Sequence, residues 1–288
     1  MATEAAVTAE RAPWRLADEL TVVVPVRNAQ ELIEGCLESV LAARPREVIV
    51  VDGLSTDETR QVAARYPVRV VSDGGAGLPA ARRIGAELAE TRLVALVDAD
   101  VVVPPEGLER LLDEFASEGY TALQAGLHSV SGPGYWGRAL AWHHRTGRSR
   151  NWFGVVATVF DRQGLLRHGF DERFRSGEDI DLRWRLRDAG AKIGVSKRTV
   201  VEHRFGDGFG FARDQWLADG AGLGRMIRTR GAKAARLTLL PLAATVRGMI
   251  LSVLRLQPQW IPYFLCFLAY NYAGMLSTML SERKAGSG

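Results

Sequence analysis

Five carboxylates in two short segments are the first candidates for chemistry. Val97-Asp98-Ala99-Asp100 places two acids one residue apart at the end of an apolar run, and Gly177-Glu178-Asp179-Ile180-Asp181 places three acids in four residues after a glycine. Paired carboxylates at the end of a buried strand are costly unless something positive arrives. A hard divalent cation carrying a diphosphate meets that need, because oxygen ligands suit Mg2+ and Mn2+; an aspartate-rich surface turn is the plainer alternative. In the second segment, acids at a helix start are stabilised by the helix dipole and the free N–H groups, but capping does not account for all three. A third group, Asp52 with Ser55, Asp57 and Thr59, follows another apolar run. There Ser55-x-x-Glu58 could serve only as a helix cap.

These groups need elements that hold them. Thr21–Val26 is the near-continuous apolar run expected of a strand buried on both faces. Asn28-x-x-Glu31 approximates a capping box, with Ile33, Cys36, Leu37, Val40 and Leu41 following at helical spacing. Glu47–Val51, Val68–Val71 and Leu93–Val97 read as further strands, with helices over about 57–65 and 78–90. This alternation predicts a parallel sheet with crossover helices. It places Asp52 and Asp98 at the C-terminal ends of strands, where such folds bind ligands. Another helix follows Pro104-Pro105, with Leu108, Leu111, Leu112 and Phe115 on its core face. Farther on, residues 132–154 hold five glycines, three tryptophans and four arginines and read as a mobile loop or broken helix. A strand over Val155–Phe160, a helix over Ile180–Ala189 closed by Gly190, and a short strand over Thr199–Val201 follow, before a glycine-rich stretch from Gly206 to Gly224.

Composition bounds the class. The 288 residues are 47% hydrophobic and 24% charged, which are ordinary globular values and exclude a disordered, collagen-like or multi-span membrane chain. Two cysteines, Cys36 and Cys266, match no metal spacing and indicate a reducing compartment. The net charge of +4 is divided unevenly. Residues 1–219 hold 32 acids and 28 Lys/Arg, net −4, whereas residues 220–281 hold no acid and seven bases. Leu237–Leu254 is strongly apolar despite Pro241 and Arg247, and Leu256–Ser281 carries no charge for 26 residues, with Trp260, Tyr263, Tyr270 and Tyr272 among aliphatics. The expectation is a helical hairpin lying on or dipping into the cytoplasmic leaflet, with Arg225, Arg228, Arg230, Lys233 and Arg236 meeting anionic headgroups. Only the second helix is a candidate for a full span. The alternative is a pair of buried or homodimer-forming helices. Residues 1–19 carry no secretory signal and read as a mobile extension, leaving 20–230 as the catalytic part and 231–288 as the tail.

With these segments in view, the chain resembles the family 2 glycosyltransferases of GT-A fold. The matching pieces are Val24-Pro25-Val26-Arg27-Asn28, Val51-Asp52-Gly53-Leu54-Ser55-Thr56-Asp57, Gly77 to Gly85, Asp98-Ala99-Asp100, and Phe170-Asp171-Glu172-Arg173-Phe174 leading into Gly177-Glu178-Asp179. The resemblance implies an α/β fold with a Rossmann-like mixed sheet, extended here by the α-helical membrane-associating tail. It implies a UDP- or GDP-sugar donor, with Asp52 and Asp57 on the nucleotide side and Pro25, Arg27 and Asn28 flanking the nucleoside. Arg82 would lie near the donor diphosphate, with Asp98 and Asp100 holding Mn2+ or Mg2+. Asp179 would be the general base, and His203 a third metal ligand. Direct in-line attack with a single base gives inversion at the sugar carbon.

The chemistry suits these residue types without the family. Nucleotide-sugar transfer needs diphosphate charge neutralised and a carboxylate to take the acceptor's proton. An intact Gly177-Glu178-Asp179 favours a hydroxyl acceptor, lipid-linked or membrane-associated, over an already anionic polyprenyl phosphate, which is the alternative. The aromatic and basic segment 135–153 is the candidate acceptor lid, or else a packed helix pair. A sugar-nucleotide pyrophosphorylase would want a glycine-rich phosphate loop after the first strand, and a dehydrogenase Gly-x-Gly-x-x-Gly there; Val26-Arg27-Asn28-Ala29 is neither. A scaffold with a dead transferase fold would have lost acids that are present. Nucleic acid is no expected partner, because the basic charge lies in the apolar tail.

Overall fold

The computed structural model describes residues 16–147, 152–174 and 176–281; of the expected extension over residues 1–19, residues 1–15 lie outside these. A single turn, α1 (Leu16–Glu19), leads into β1 (Leu20–Val26). The other expected strands follow as β2 (Glu47–Asp52), β3 (Arg69–Ser72) and β4 (Leu93–Val97). Crossover helices α2 (Ile33–Ala42), α3 (Thr59–Ala63) and α4 (Leu78–Leu88) connect them. Alternate residues of β1 serve opposite faces, as the pleat requires. Val22 and Val24 join the core under α2, whereas Val23 joins the core under α4. That two-sided burial is why the run is apolar throughout.

The first four strands are parallel, as their alternation with helices predicts, and the second half makes the sheet mixed, as the family resemblance implies. It adds β5 (Val101–Val102), β6 (Ala122–Ser131), β7 (Ala157–Asp161) and β8 (Ile193–Phe205). The order is β3-β2-β1-β4-β7-β6-β8-β5, with β7 antiparallel to both β4 and β6. The helices here are α5 (Gly107–Ser117), α6 (Tyr135–Thr146), α7 (Arg162–His168) and α8 (Glu178–Asp188). Residues 132–154 therefore contain a true helix, α6, whose Leu140 and Trp142 are buried; residues 148–151 lie outside the described residues. The capping box is corrected too. Asn28 has a left-handed φ of 52° and α2 begins only at Ile33.

The glycine-rich stretch is mostly helix, α9 (Phe209–Arg230). A 3-10 turn (Gly231–Leu239) leads to α10 (Leu240–Leu254), and a second (Pro258–Trp260) leads to α11 (Ile261–Ser281). Gly220 and Gly224 of α9 lie directly on the backbone of Asn271 and Met275 in α11, so any side chain there would collide. The tail thus returns to pack along α9. Trp216, Tyr263, Phe264 and Phe267 form a shared aromatic core with α6.

α10 is inverted relative to an ordinary surface helix. It buries Pro241, Thr245, Gly248 and Ser252 and exposes Leu242, Val246, Ile250, Val253 and Leu254. Among the described residues, one helical run, Phe209–Leu254, contains a window apolar enough to cross a membrane, with mean hydropathy 1.8 and 28% of the window buried. The window apolar enough to span thus lies before α11 and not in it, for reasons of sequence and packing. Pro262, Asn271 and three tyrosines dilute its hydropathy, and Asn271, Tyr263 and Met275 are buried within the protein.

Candidate active site

The strand ends bring the acids together. Asp98 follows β4, and its N–H donates to Val156 O at 2.9 Å. The short β5 pairs antiparallel with β8 so that Val101 faces His203. That pairing carries His203 Nε2 to 3.2 Å from Asp100 Oδ2. Burial alone would lower the His203 pKa, but the Asp100 carboxylate outweighs burial and raises it.

Arg82 is the hub. It sits on α4, 2% exposed, and donates from Nη1 to Glu178 Oε1 at 2.7 Å and from Nη2 to Asp98 Oδ1 at 2.9 Å. One guanidinium fork therefore ties the start of α8 to the end of β4. Glu178 stood in the acidic cluster singled out from sequence but had no role assigned to it there; its partner Arg82 supplies one. Burial, helped by Asp100 and opposed by Arg82, pushes the Asp98 carboxyl up to about 6.

Asp179 stands in the first turn of α8, just after Gly177, whose φ of 79° starts the helix. Burial and the neighbouring Glu178 charge, opposed by Arg82, push its pKa up to about 7. A carboxyl group poised there accepts a proton near neutral pH, as a general base must. The Trp152 side chain hydrogen-bonds it. Trp152 is in turn held by a residue the sequence did not single out: buried Gln124 donates to Trp152 O at 3.0 Å and accepts from Gly154 N at 2.7 Å.

The nucleotide-side candidates divide. Asp52 is 1% exposed at the end of β2 and accepts from Ser55 N at 3.2 Å. Asn28 Oδ1 accepts from Thr56 N at 2.8 Å, and Asp57 accepts from Thr59 and from Gln30 N. These two side chains stitch the loop after β1 to the loop after β2. Pro25 is buried in β1, and Arg27 is exposed beside Gly53. These five gather at the β1 and β2 ends, while Arg82, Asp98, Asp100, Asp179 and His203 form the neighbouring group.

The donor set suits a divalent ion. Asp100 Oδ1 is buried without a partner, and so is His203 Nδ1. Among the described residues no three acidic, histidine or cysteine side chains make a ready-made metal shell. The three expected ligands, Asp98, Asp100 and His203, are thus not drawn together as a metal shell.

The sequence profile described as glycosyl transferase family 2 matches residues 21–174, more than half of the chain. The chain belongs to that family. The chain is similar to the pre-mycofactocin glycosyltransferase of Mycobacterium tuberculosis, 31% identical over 202 residues, covering 64% of this chain and 42% of that protein. An uncharacterized glycosyltransferase of Mycobacterium bovis is 34% identical over 185 residues, covering 61% and 82%. The chain spans less than half the length of the pre-mycofactocin relative. Among solved structures, S. aureus TarS in complex with UDP-GlcNAc superposes with a TM-score of 0.54 at 18% identity, covering 93% of this chain and 92% of that one. GalNAc-T7 with UDP, GalNAc and Mn2+ gives 0.53 at 16% identity, covering 65% and 44%. The fold of this family 2 chain is GT-A, a mixed α/β sheet with an apolar helical tail.

Proposed function

We propose that this chain transfers a sugar, with inversion, from a UDP- or GDP-sugar to a hydroxyl of a lipid-linked or membrane-associated acceptor. The observation that supports the reading is the buried link Asp98–Arg82–Glu178, which ties the strand end carrying Asp98 to the helix start carrying Asp179. The acceptor oxygen attacks the anomeric carbon, its proton passes to Asp179, and the bond to the diphosphate breaks with its electrons on the leaving oxygen. Asp98, Asp100 and His203 would hold Mn2+ or Mg2+, which when bound neutralises the leaving diphosphate as a Lewis acid. Solved relatives of the fold named with UDP support a uridine donor.

The inverted face of α10 and the acid-free basic tail support work at the cytoplasmic face of a membrane, with the helix lying in the interface. A second copy covering the same face is the alternative. Calorimetry with UDP tests the donor half: binding should need Mn2+ or Mg2+ and disappear in Asp100→Ala. Equal affinity with EDTA would refute it.

A further inference from the structure

A chamber of about 650 Å³ opens behind the catalytic group, away from the β1 and β2 loops. Asp179 and His203 line it together with Leu240 and Ala244 of α10 and Phe267 of α11. Its size falls in the range that encloses a drug-sized molecule. Its wall is mostly apolar, and the tail supplies much of it. The glycine contacts between α9 and α11 fix that wall, because they leave the two backbones no room to separate by a side chain.

One charged group faces this space without a protein partner. Asp219 of α9 is surrounded by protein, yet its carboxylate is open to the chamber. It makes no hydrogen bond or ion pair with any described residue. Its neighbour Ala218 accepts from Ser176 Oγ at 2.8 Å, so Asp219 lies toward the Gly177 end of the chamber. Burial pushes its pKa up to about 6. A carboxylate open to the chamber and without a protein partner can accept a hydrogen bond from a ligand hydroxyl.

We infer that the chamber is the acceptor site and takes an amphiphilic alcohol. The reactive hydroxyl reaches Asp179, a second hydroxyl donates to Asp219, and the apolar portion lies against Leu240, Ala244 and Phe267. This rests on the glycosyl-transfer reading above and adds to it the acceptor's chemical class and a specificity-determining residue. The volume admits the head and first part of an apolar chain; a longer chain would leave past α10, toward its exposed aliphatic face.

The probe is n-octyl β-D-glucoside, titrated below its micelle concentration into the full chain, with glucose as the control lacking an apolar tail. Octyl glucoside should bind saturably and about tenfold or more tighter than glucose. Ala244→Trp, which fills the chamber, should weaken it about tenfold, and Asp219→Leu about fivefold. Val246→Glu, on the outer face of α10, should leave it unchanged. UDP affinity with Mn2+ should be the same in all these variants and reports the donor half separately. If octyl glucoside binds no tighter than glucose, or both chamber variants keep its affinity, the inference is wrong. Should Ala244→Trp fail to fold, as read from its melting curve, Asp219→Leu decides alone, since it removes only a carboxylate that is open to the chamber.

Discussion

Gly177 and Gly222 meet backbone to backbone: a methyl on Gly177 would lie 2.8 Å from the Gly222 Cα, and one on Gly222 would lie 3.0 Å from the Gly177 Cα. Gly177 starts the helix that carries Asp179, and Gly222 lies in the helix that α11 packs against. The position of Asp179, the proposed base, is therefore set by how closely α9 can approach. Gly222→Ala should cost about 1–3 kcal/mol through overpacking and reduce turnover while leaving UDP affinity unchanged. Chemical denaturation and calorimetry on the same preparation measure both; a variant with full turnover would uncouple the contact from catalysis.

Asp179 gives a pH signature. With its pKa raised from 3.8 to about 7, the basic form accumulates as pH rises, so turnover should climb through about pH 7 and then level. The linked effect on stability has the opposite sense. A buried carboxyl whose folded pKa is raised loses stability as pH climbs from its unfolded pKa, with the full loss present above about 7. Asp179→Asn should therefore be more stable than the parent at pH 8, on the order of 1–4 kcal/mol, and gain nothing below pH 4. Melting curves at the two pH values check this.

Arg82 holds two carboxylates from inside the protein. Arg82→Met strands Asp98 and Glu178 and should cost about 3–5 kcal/mol, the scale for breaking a buried ion pair. Arg82→Lys offers a single ammonium in place of the fork and should recover only part of that loss. Urea unfolding of the two variants gives the ranking; equal stability of Met and Lys would show that charge pairing there is unimportant.

The outer face of α10 is testable without truncation. Cutting at Gly231 would uncover the α9 glycines that α11 covers, and so would confuse misfolding with loss of membrane contact. Charge substitutions on the exposed face avoid that. The full chain should float with anionic phosphatidylglycerol vesicles at low salt, and Val246→Glu with Ile250→Glu should abolish flotation. A parent chain that stays with the soluble fraction would leave the dimer alternative for this face.

What the sequence disclosed follows from how local each signal is. β1, β2 and β4 were readable because both faces are buried, so nearly every residue is apolar; the acids after β2 and β4 then stood at strand ends where ligands bind. β6 was not readable. Its residues Gln124, Gly126, His128 and Ser129 break an apolar pattern, because Gln124 points at the Trp152 segment and Gly126 lies close against Ser196 and Thr199. α9 was legible only as a glycine-rich stretch because four glycines interrupt its second half and its start, yet Gly220, Gly222 and Gly224 are contact points with elements far away in sequence. The role of Glu178 likewise depends on a partner 96 residues away. Asn28 and Asp57 show the converse. Their positions beside the nucleotide loops were legible, while their commitment to holding two loops together needed the structure.

The most direct test of the account is turnover of UDP-sugars, followed as UDP released in the presence of membrane extract as the acceptor source, with Mn2+ or with EDTA, for the parent chain and Asp179→Asn. The account predicts release that requires the metal and falls by about two orders of magnitude or more in Asp179→Asn, while that variant binds UDP with parental affinity. Metal-independent release, or undiminished release from Asp179→Asn, would contradict it.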